Sequence, residues 1–185
     1  MEWIQREGTI AKVLIDTEML AAKVAELGAA IDADYADRQP LLVGVLRGCA
    51  FFFADLMRHL TIPVAMDFIA VSSYGPSAGG SGAVRFMKDL DLPVEGRHVI
   101  LVEDVIDTGL TLRYVVRNLK ARHPASLEIC TLLDKRVRRL VDTPLRYIGF
   151  DLPDVFVVGY GLDYQQRYRN LPFIAVLHKH VYDVE

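Results

Sequence analysis

The sequence predicts an α/β fold in which a mostly parallel central sheet is flanked by helices. Three observations predict it: strand-like and helix-like segments alternate, the central strand segments are apolar on both faces, and the connections between segments are short. Strands that are apolar on both faces are typical of parallel sheets that helices cover on both sides. The chain has 185 residues, a length that fits one domain with a sizeable core.

The composition is that of a globular protein and excludes several functional classes. Apolar residues make up 52% and charged residues 24%, a balance that excludes a disordered chain. The formal net charge of -3 argues against a protein that binds nucleic acid mainly through bulk positive charge, but it is compatible with a pocket for a small phosphorylated ligand. No apolar run is long enough to cross a membrane, no secretory signal pattern is visible, and the two cysteines lack CxxC spacing. We therefore expect a cytoplasmic protein with neither a membrane nor a nucleic-acid partner.

The first half of the chain contains two predicted helices and two predicted strands. Asp16 is a plausible N-cap of the first helix. The apolar residues of that helix fall on one stripe, formed by Leu20, Val24, Leu27 and Ile31. The uniformly apolar segment 41–46 predicts a buried strand, and after a turn the second helix points Phe52, Leu56 and Leu60 inward. A strand is predicted at 64–71, followed at 72–82 by a segment rich in Gly and Ser that we predict to be a mobile loop.

The second half continues this alternation. A buried strand at 97–102 leads into an acidic turn at 103–111, after which Leu112, Val115, Val116 and Leu119 predict an amphipathic helix. Further strands are predicted at 127–133, 147–150 and 155–158. Ligands of parallel sheets bind beyond the carboxyl ends of the strands, so we expect the functional site at the turns 46–49 and 103–111.

The acidic turn combines an anion cradle with carboxylates. Its second half supplies two hydroxyls, a glycine and a helix N-terminus, in the order Thr108, Gly109, Leu110 and Thr111. Three carboxylates precede it, those of Glu103, Asp104 and Asp107. Carboxylates repel a bare phosphate, but they can bind ribose hydroxyls or a divalent cation, so the turn indicates a sugar phosphate with magnesium. The simpler alternative is that the acids only complement the helix dipole; neither a nucleotide P-loop nor a dinucleotide fingerprint is present.

Five segments of the chain carry the motifs of a known family, in the same order. They are VLRG at 45–48, SSYG at 72–75, VEDVIDTGLTL at 102–112, LLDK at 132–135 and PDVFVVGYGLDY at 153–164. Together they resemble the type I phosphoribosyltransferases, and among these the hypoxanthine and hypoxanthine-guanine branch of purine salvage, over a stretch from Leu41 to about Leu171. The resemblance implies a type I phosphoribosyltransferase fold with a small hood from the terminal segments. It implies a single phosphoribosyltransferase domain over 1–185, with a core at about 38–150 and a hood from about 1–15 and 151–185.

The resemblance assigns the acidic turn to 5-phosphoribosyl-1-pyrophosphate. Glu103 and Asp104 would bind the ribose hydroxyls and their Mg²⁺, and the Thr108, Gly109, Leu110 and Thr111 segment would hold the 5-phosphate. Leu110 stands where relatives are often polar or basic, so a side-chain contact to the phosphate would be lost there. Asp107 would be the catalytic residue, near the purine N7, where it manages the proton as the new N9–C1 bond forms. Its carboxylate neighbours would favour the protonated form and phosphate donors the ionised form, which leaves its protonation state open.

The resemblance also implies a pyrophosphate turn and a lid. Leu46, Arg47 and Gly48 would expose a backbone N–H to the pyrophosphate at a strained peptide; a plain strand-to-helix turn is the alternative. Ser73 and Tyr74 would open a lid loop that keeps water from the reacting ribosyl centre. For the tip of that segment, a surface loop without function is the alternative.

The remaining implied contacts lie in the last third of the chain. Lys135 would donate to the purine 6-oxo group, Phe156 would stack on the purine, and Val157 would present backbone groups to its edge. Asp163 would bind a second Mg²⁺ that bridges the pyrophosphate, and Arg169 would contact the pyrophosphate directly. The ordinary alternatives are a solvated lysine within the basic run 135–139 and a core aromatic on a strand.

The implied function is transfer of the 5-phosphoribosyl group to N9 of hypoxanthine or guanine, giving IMP or GMP and pyrophosphate. A lysine suits a 6-oxopurine and offers nothing to the amino group of adenine, although xanthine stays open as a substrate. The alternative of a different class is a nucleotide-sensing regulator of the same fold; the retention of Asp107, Lys135, Asp163 and Arg169 favours the enzyme. A homodimer or homotetramer is expected from the resemblance alone.

Overall fold

The computed structural model describes residues 8–73 and 84–182, which form two sheets and four α-helices. In chain order the elements are β1 (Ile10–Ile15), α1 (Thr17–Asp34), β2 (Leu41–Leu46), α2 (Ala50–His59), β3 (Ala65–Ser73), β4 (Val84–Lys88), β5 (His98–Ile106), α3 (Leu110–Lys120), β6 (Ser126–Asp134), β7 (Tyr147–Asp151), β8 (Val157–Val158), β9 (Ile174–Leu177) and α4 (Lys179–Tyr182). A 3₁₀ turn, Arg136–Arg138, follows β6.

The larger sheet has six strands in the order β4-β3-β2-β5-β6-β7. All neighbouring pairs are parallel except β3 and β4, which are antiparallel at one edge. This arrangement confirms the predicted α/β fold with a mostly parallel sheet. It also places the carboxyl ends of β2, β5 and β6 side by side, because β2 and β6 both pair with β5.

The core lies on both faces of this sheet, because successive strand residues point to opposite sides. On β2, Leu42 belongs to the cluster that also contains the buried residues of α1 and α2, and Leu41 and Val43 belong to the cluster beneath α3. All three side chains are fully buried. The uniform burial of β2 explains why its sequence shows no alternation of apolar and polar residues.

The predicted helices are present, and most of their predicted inner residues are buried; Leu60 lies one residue beyond α2 and, like Val116, is partly buried. Asp16 caps α1: its Oδ1 accepts a hydrogen bond from the backbone N–H of Met19 at 2.8 Å. The buried residues of α1 include the predicted stripe, and those of α2 and α3 include Phe52, Leu56, Leu112, Val115 and Leu119. Cys49 and Cys130 are free and buried.

One predicted boundary is wrong, and it concerns the acidic turn. The strand predicted at 97–102 continues to Ile106, so the acids at 103 and 104 belong to β5 and the turn spans only 107–109. The reason is pairing: the parallel register with β6 continues to Ile106 opposite Asp134. Hydrogen bonds to a neighbouring strand keep the backbone extended where the local composition indicates a turn.

Three strands were not predicted at all. β1 and β9 pair antiparallel with each other, and β9 also pairs with the short β8 to complete the second sheet. β4 pairs with β3 on the far side of the segment 74–83. The predicted mobile loop lies largely outside the described residues. In the described part of the chain, no helix is both long and apolar enough to cross a membrane.

Candidate active site

A cavity of about 1050 Å³ opens at the carboxyl ends of the parallel strands. The predicted site residues at this cavity come from five separate segments of the chain. The predicted site residues that line it are Leu46, Arg47, Gly48, Asp104, Asp107, Lys135, Phe156, Val157, Asp163 and Arg169. A smaller cavity of about 220 Å³ adjoins it through Asp107 and is lined by Glu103, Thr108, Gly109 and Thr111.

Three predicted site residues are not placed at either cavity. Leu110 lines neither of them, and its side chain is exposed at the start of α3. Tyr74 lies outside the described residues. Ser73 ends β3, but its side chain is not described.

Glu103 and Asp104 face different cavities because they are successive residues of one strand. Burial raises the pKa of Glu103 well above its usual value, and the neighbouring Asp104 carboxylate raises it further. Burial also raises the pKa of Asp104, to about 6, despite the opposing effect of the backbone N–H of Val105, which donates to its Oδ1 at 2.8 Å. Two carboxylates held in this way stabilise a bound cation or hydrogen-bond donor that neutralises them.

The predicted anion cradle at 108–111 includes Gly109, the N-cap of α3. Its φ of 78° lies in the left-handed region that favours glycine. The carbonyl of Thr108 accepts a hydrogen bond from the N–H of Leu140 at 3.0 Å, which joins the cradle to the segment after β6. The backbone N–H groups at the start of a helix are natural donors to a phosphate.

Asp107 presents its two carboxylate oxygens to different surroundings. Its Oδ1 is shielded from solvent and has no aligned hydrogen-bond donor among the described residues, but it lies 2.9 Å from Nε of Arg138. The Asp107 side chain as a whole is 44% exposed, and its exposed part lies at the cavity that it lines. The same Arg138 guanidinium donates through Nη1 to Asp154 at 3.2 Å.

Lys135 is held at the end of β6 by a backbone contact. Its N–H donates to the carbonyl of Ile106 at 2.9 Å, and the residue is only 8% exposed where it lines the cavity. The preceding Asp134 is fully buried and pairs with two nitrogens of Arg139, Nε at 2.9 Å and Nη2 at 2.7 Å. A bidentate pair of this kind fixes the turn that carries Lys135.

Phe156 forms an aromatic wall of the same cavity. Its ring stacks on Tyr182 of α4 with centroids 5.0 Å apart, and the edge of Tyr164 approaches it at 5.7 Å. Val157 follows it as the first residue of β8 and is buried. The Phe156 ring provides a flat apolar surface, and the Lys135 ammonium provides a hydrogen-bond donor at the same cavity.

The opposite part of the cavity carries two arginines that one glutamine connects. Gln166 Oε1 accepts from Arg47 Nη1 at 3.4 Å and from Arg169 Nη2 at 3.3 Å. Arg169 also contacts the carboxylate of Asp163 at 2.6 Å and the carbonyl of Gly161 at 2.7 Å. The peptide bond between Leu46 and Arg47 is cis. Two cations at one end of a cavity suit a pyrophosphate.

Asp104 and Asp163 are the carboxylates that could hold Mg²⁺ in the larger cavity. Mg²⁺ is usually held by one or two carboxylates, with substrate phosphates and water completing its shell, so this pair fits. Within the described ranges, no group of three or more His, Cys, Asp or Glu side chains could hold a metal by itself. Glu103 faces the smaller cavity, so of the three predicted metal ligands only Asp104 and Asp163 line the larger one.

The sequence assigned no role to four of the larger polar or aromatic side chains that line the larger cavity, those of Arg138, Asp154, Gln166 and Tyr182. Arg138 belongs to a basic run of the kind that is usually exposed surface, and Gln166 is a polar residue in a loop. No local pattern distinguishes them from ordinary surface residues. Only their position in the segments that flank Lys135 and Asp163 could have drawn attention to them.

Comparisons with known proteins find relatives over nearly the whole chain. The model of the phosphoribosyl transferase domain matches residues 13–165. The chain is 51% identical over 174 residues to the hypoxanthine-guanine phosphoribosyltransferase of Bacillus subtilis (strain 168), which covers 94% of this chain and 97% of that protein. The corresponding protein of Mycobacterium avium is 48% identical and covers 95% of this chain and 89% of its own length.

Solved structures give the same result. A hypoxanthine phosphoribosyltransferase from Staphylococcus aureus superposes with a TM-score of 0.91 at 41% identity, over 96% of each chain. A hypoxanthine-guanine phosphoribosyltransferase from Bacillus anthracis superposes with a TM-score of 0.87 at 45% identity, over 91% of this chain and 99% of that one.

Proposed function

The chain belongs to the phosphoribosyl transferase family, and from this premise we propose that it acts in purine salvage. It transfers the 5-phosphoribosyl group from 5-phosphoribosyl-1-pyrophosphate to N9 of hypoxanthine or guanine. The products are IMP or GMP and pyrophosphate. Curated relatives at about half identity over nearly the whole chain carry this activity in their names.

One observation of the structure carries the proposal. A single cavity holds a set suited to a 6-oxopurine, Asp107, Lys135 and Phe156, and a separate set suited to pyrophosphate, Arg47 and Arg169. The helix N-terminus of the adjoining cavity supplies donors for a 5-phosphate. A nucleotide-sensing regulator would need to bind a nucleotide, but it would not need a carboxylate beside the purine.

The chemistry assigns a separate task to each set. The bond from ribose C1 to the pyrophosphate oxygen breaks and the bond from C1 to purine N9 forms. A neutral purine with a proton on N7 must lose that proton, and the free oxygen of Asp107 accepts it. Arg47 and Arg169 stabilise the negative charge that collects on the departing pyrophosphate. Mg²⁺, when it is bound by Asp104 and Asp163 with the phosphates, further neutralises that charge.

Lys135 explains the choice of base. Its ammonium group donates hydrogen bonds only, so it binds the 6-oxo group of hypoxanthine or guanine and leaves the 6-amino group of adenine unsatisfied. Xanthine carries the same 6-oxo group, so it is the second substrate to test.

The proposal extends to the setting of the enzyme. We propose Mg²⁺ as the metal, a homodimer or homotetramer as the assembly, and the cytoplasm as the compartment. We also propose one phosphoribosyltransferase domain over 1–185, with its core at about 38–150. In this division, the β1-β9-β8 sheet would belong to the hood from about 1–15 and 151–185.

The direct test is a steady-state assay with the four purine bases, Mg²⁺ and the phosphoribosyl donor, with the nucleotide products separated by chromatography. We expect IMP from hypoxanthine and GMP from guanine, and no AMP from adenine. Product from adenine alone, or no product from any base, would contradict the proposal.

A further inference from the structure

We propose that Arg138 is a positioning residue for Asp107, an inference that rests on the function proposed above. The guanidinium group reaches from the 3₁₀ turn after β6 to the end of β5, where Nε lies 2.9 Å from Oδ1 of Asp107. Both side chains line the larger cavity, so the contact is made inside the site.

The contact distinguishes the two oxygens of Asp107. Oδ1 is shielded from solvent, and among the described residues only the Arg138 guanidinium is within ion-pairing distance of it. With Oδ1 beside the cation, the other oxygen is left to face the cavity. A base is efficient only if the accepting atom is held within hydrogen-bond reach of the proton, and the ion pair restricts the rotation of the carboxylate that would otherwise move it.

Asp154 holds Arg138 from the other side. It accepts a hydrogen bond from Nη1 at 3.2 Å, and it lies in the connection between β7 and β8, which leads directly into Phe156. The arginine is therefore held by two carboxylates from different segments. When Asp107 takes up a proton and loses its charge, Asp154 continues to hold the guanidinium in the site.

The 3₁₀ turn connects the two polar contacts of the purine. The N–H of Arg138 donates to the carbonyl of Lys135 at 2.9 Å, so one short turn carries both side chains. In the proposed complex, Lys135 binds the 6-oxo group, and Arg138 orients the carboxylate that meets N7. These two purine atoms are neighbours on one edge of the base, so the turn aligns both of their partners.

If Arg138 served only to stabilise the fold, its loss would lower the melting temperature, and the proposal predicts a different outcome. The two side chains of the ion pair are 46% and 44% exposed, and exposed ion pairs contribute little to stability. Loss of Arg138 should therefore leave the melting temperature nearly unchanged. The turnover number should fall, because the base is no longer held in place.

The test compares Arg138→Gln and Arg138→Lys with Arg136→Gln as the matched control. Arg136 lies on the same turn but contacts Asp134 and Asp151, and it does not line the larger cavity. For Arg138→Gln we expect kcat with hypoxanthine to fall between about 10-fold and about 100-fold, with KM for the phosphoribosyl donor within about twofold of wild type. Arg138→Lys should recover part of kcat, and Arg136→Gln should resemble wild type.

A double-mutant cycle with Asp107→Asn decides whether Arg138 acts through Asp107. If it does, Arg138→Gln lowers kcat in the wild-type background but has little further effect when Asp107 is already asparagine. An equal fold-change in both backgrounds, or an effect no larger than that of Arg136→Gln, would overturn the inference. Wild-type turnover on hypoxanthine is measured in the same series: its absence contradicts the proposed function together with this inference, whereas normal wild-type turnover with an unaffected Arg138→Gln contradicts the inference alone.

Discussion

Gly48 leaves the space that the Asp104 carboxylate occupies. A Cβ at position 48 would overlap with Oδ2 of Asp104, and a Cβ at Gly161 would overlap with the carbonyl oxygen of Gly48. The turn after β2 therefore packs against the acidic strand on one side and against the segment before Asp163 on the other. At this point the proposed pyrophosphate and metal contacts depend on the absence of a side chain.

Gly48→Ala should displace Asp104 and weaken binding of the phosphoribosyl donor. We expect KM for the donor to rise by at least about 10-fold, since the new methyl group cannot be accommodated without moving the carboxylate. Steady-state kinetics at saturating Mg²⁺ and hypoxanthine measure this change. Gly96→Ala is the control: its φ of 67° makes alanine unfavourable, but a Cβ there meets nothing within 4 Å, so stability should fall without a change in KM. An unchanged KM in Gly48→Ala would show that the turn adapts.

Asp107→Asn tests the proposed base directly. The amide cannot accept the purine proton, so we expect kcat to fall by about 10²- to 10⁴-fold while KM for hypoxanthine changes much less. Pre-steady-state product formation separates the chemical step from product release. Asp142→Asn, an exposed acid that does not line the larger cavity, should leave kcat unchanged. Wild-type turnover in Asp107→Asn would remove this residue from the chemistry.

At the scale of elements, β5 decides where the acids point. Because pairing with β6 extends the strand to Ile106, Glu103 and Asp104 alternate across it and serve two cavities. The turn at 107–109 then needs only three residues to reach the N-terminus of α3. A strand with acids near its carboxyl end and a helix capped by a glycine thus bring the proposed ribose, metal and phosphate contacts close together.

The N-terminus of α1 depends on one side chain. Asp16→Ala removes the acceptor for the N–H of Met19, and we expect the free energy of unfolding to fall by about 1 kcal/mol. Urea denaturation followed by circular dichroism measures the change. Asp16→Asn keeps a capping oxygen and should recover most of the loss. If both variants lose the same stability, the cap is not the cause.

At the scale of the whole molecule, buried and paired acids connect stability to pH. Burial alone would raise the pKa of Asp67, but the backbone N–H groups of Leu92, Phe68 and Asp91, together with Lys88, hold it below its usual value. A hydrogen bond from Tyr147 and another from Arg146 likewise lower the pKa of Asp34. An acid whose pKa is lower in the folded state contributes stability above its unfolded pKa, and this contribution is lost as the pH falls through the folded value.

The contribution of Asp104 to stability depends on pH in the opposite direction. Its pKa is raised to about 6 from 3.8, so its contribution to stability is fully present below the unfolded value and is lost as the pH rises through about 6. The ligand-free enzyme therefore carries a destabilising carboxylate at neutral pH, as functional sites often do. A bound cation would offset this cost.

Asp67→Asn should make the protein less stable at pH 7, and it should approach wild-type stability only when the pH falls through the lowered pKa of the folded carboxylate, below 3.8. The side chain is only 6% exposed, and we expect a difference of about 1–3 kcal/mol at pH 7, because charged hydrogen bonds are lost. The difference should shrink as the pH falls below 3.8, where the wild-type carboxylate begins to take up its proton. Urea denaturation at several pH values measures it, and Asp91→Asn, at an exposed ion pair, is the control. A difference that does not depend on pH would assign the effect to packing.

Periodic and local features of this protein were predictable from the chain. The capped helix α1, the buried strand β2 and the start of α3 at the Thr-Gly-Leu-Thr segment could be predicted because spacing and residue type encode them within a few positions. The acidic segment was located correctly, but its predicted conformation was wrong. The pairing that extends this strand is made with β6, which follows α3 in the chain, so the residues around the acids do not reveal it. The antiparallel pair of β1 and β9 was missed because its partners lie at opposite ends of the chain, and neither strand alone differs from an ordinary apolar segment.

By itself, the sequence determined the α/β class, the family and about half of the residues that line the larger cavity, because these depend on patterns and motifs that are contiguous in the chain. Only the tertiary structure decided that Arg138 joins Asp107 to Asp154, that Asp104 packs against Gly48, and that Gln166 lies between two arginines. These contacts join residues that are far apart in sequence and depend on distances of a few ångströms. Such distances are set by how strands and turns pack against one another, and no local pattern of residues records them.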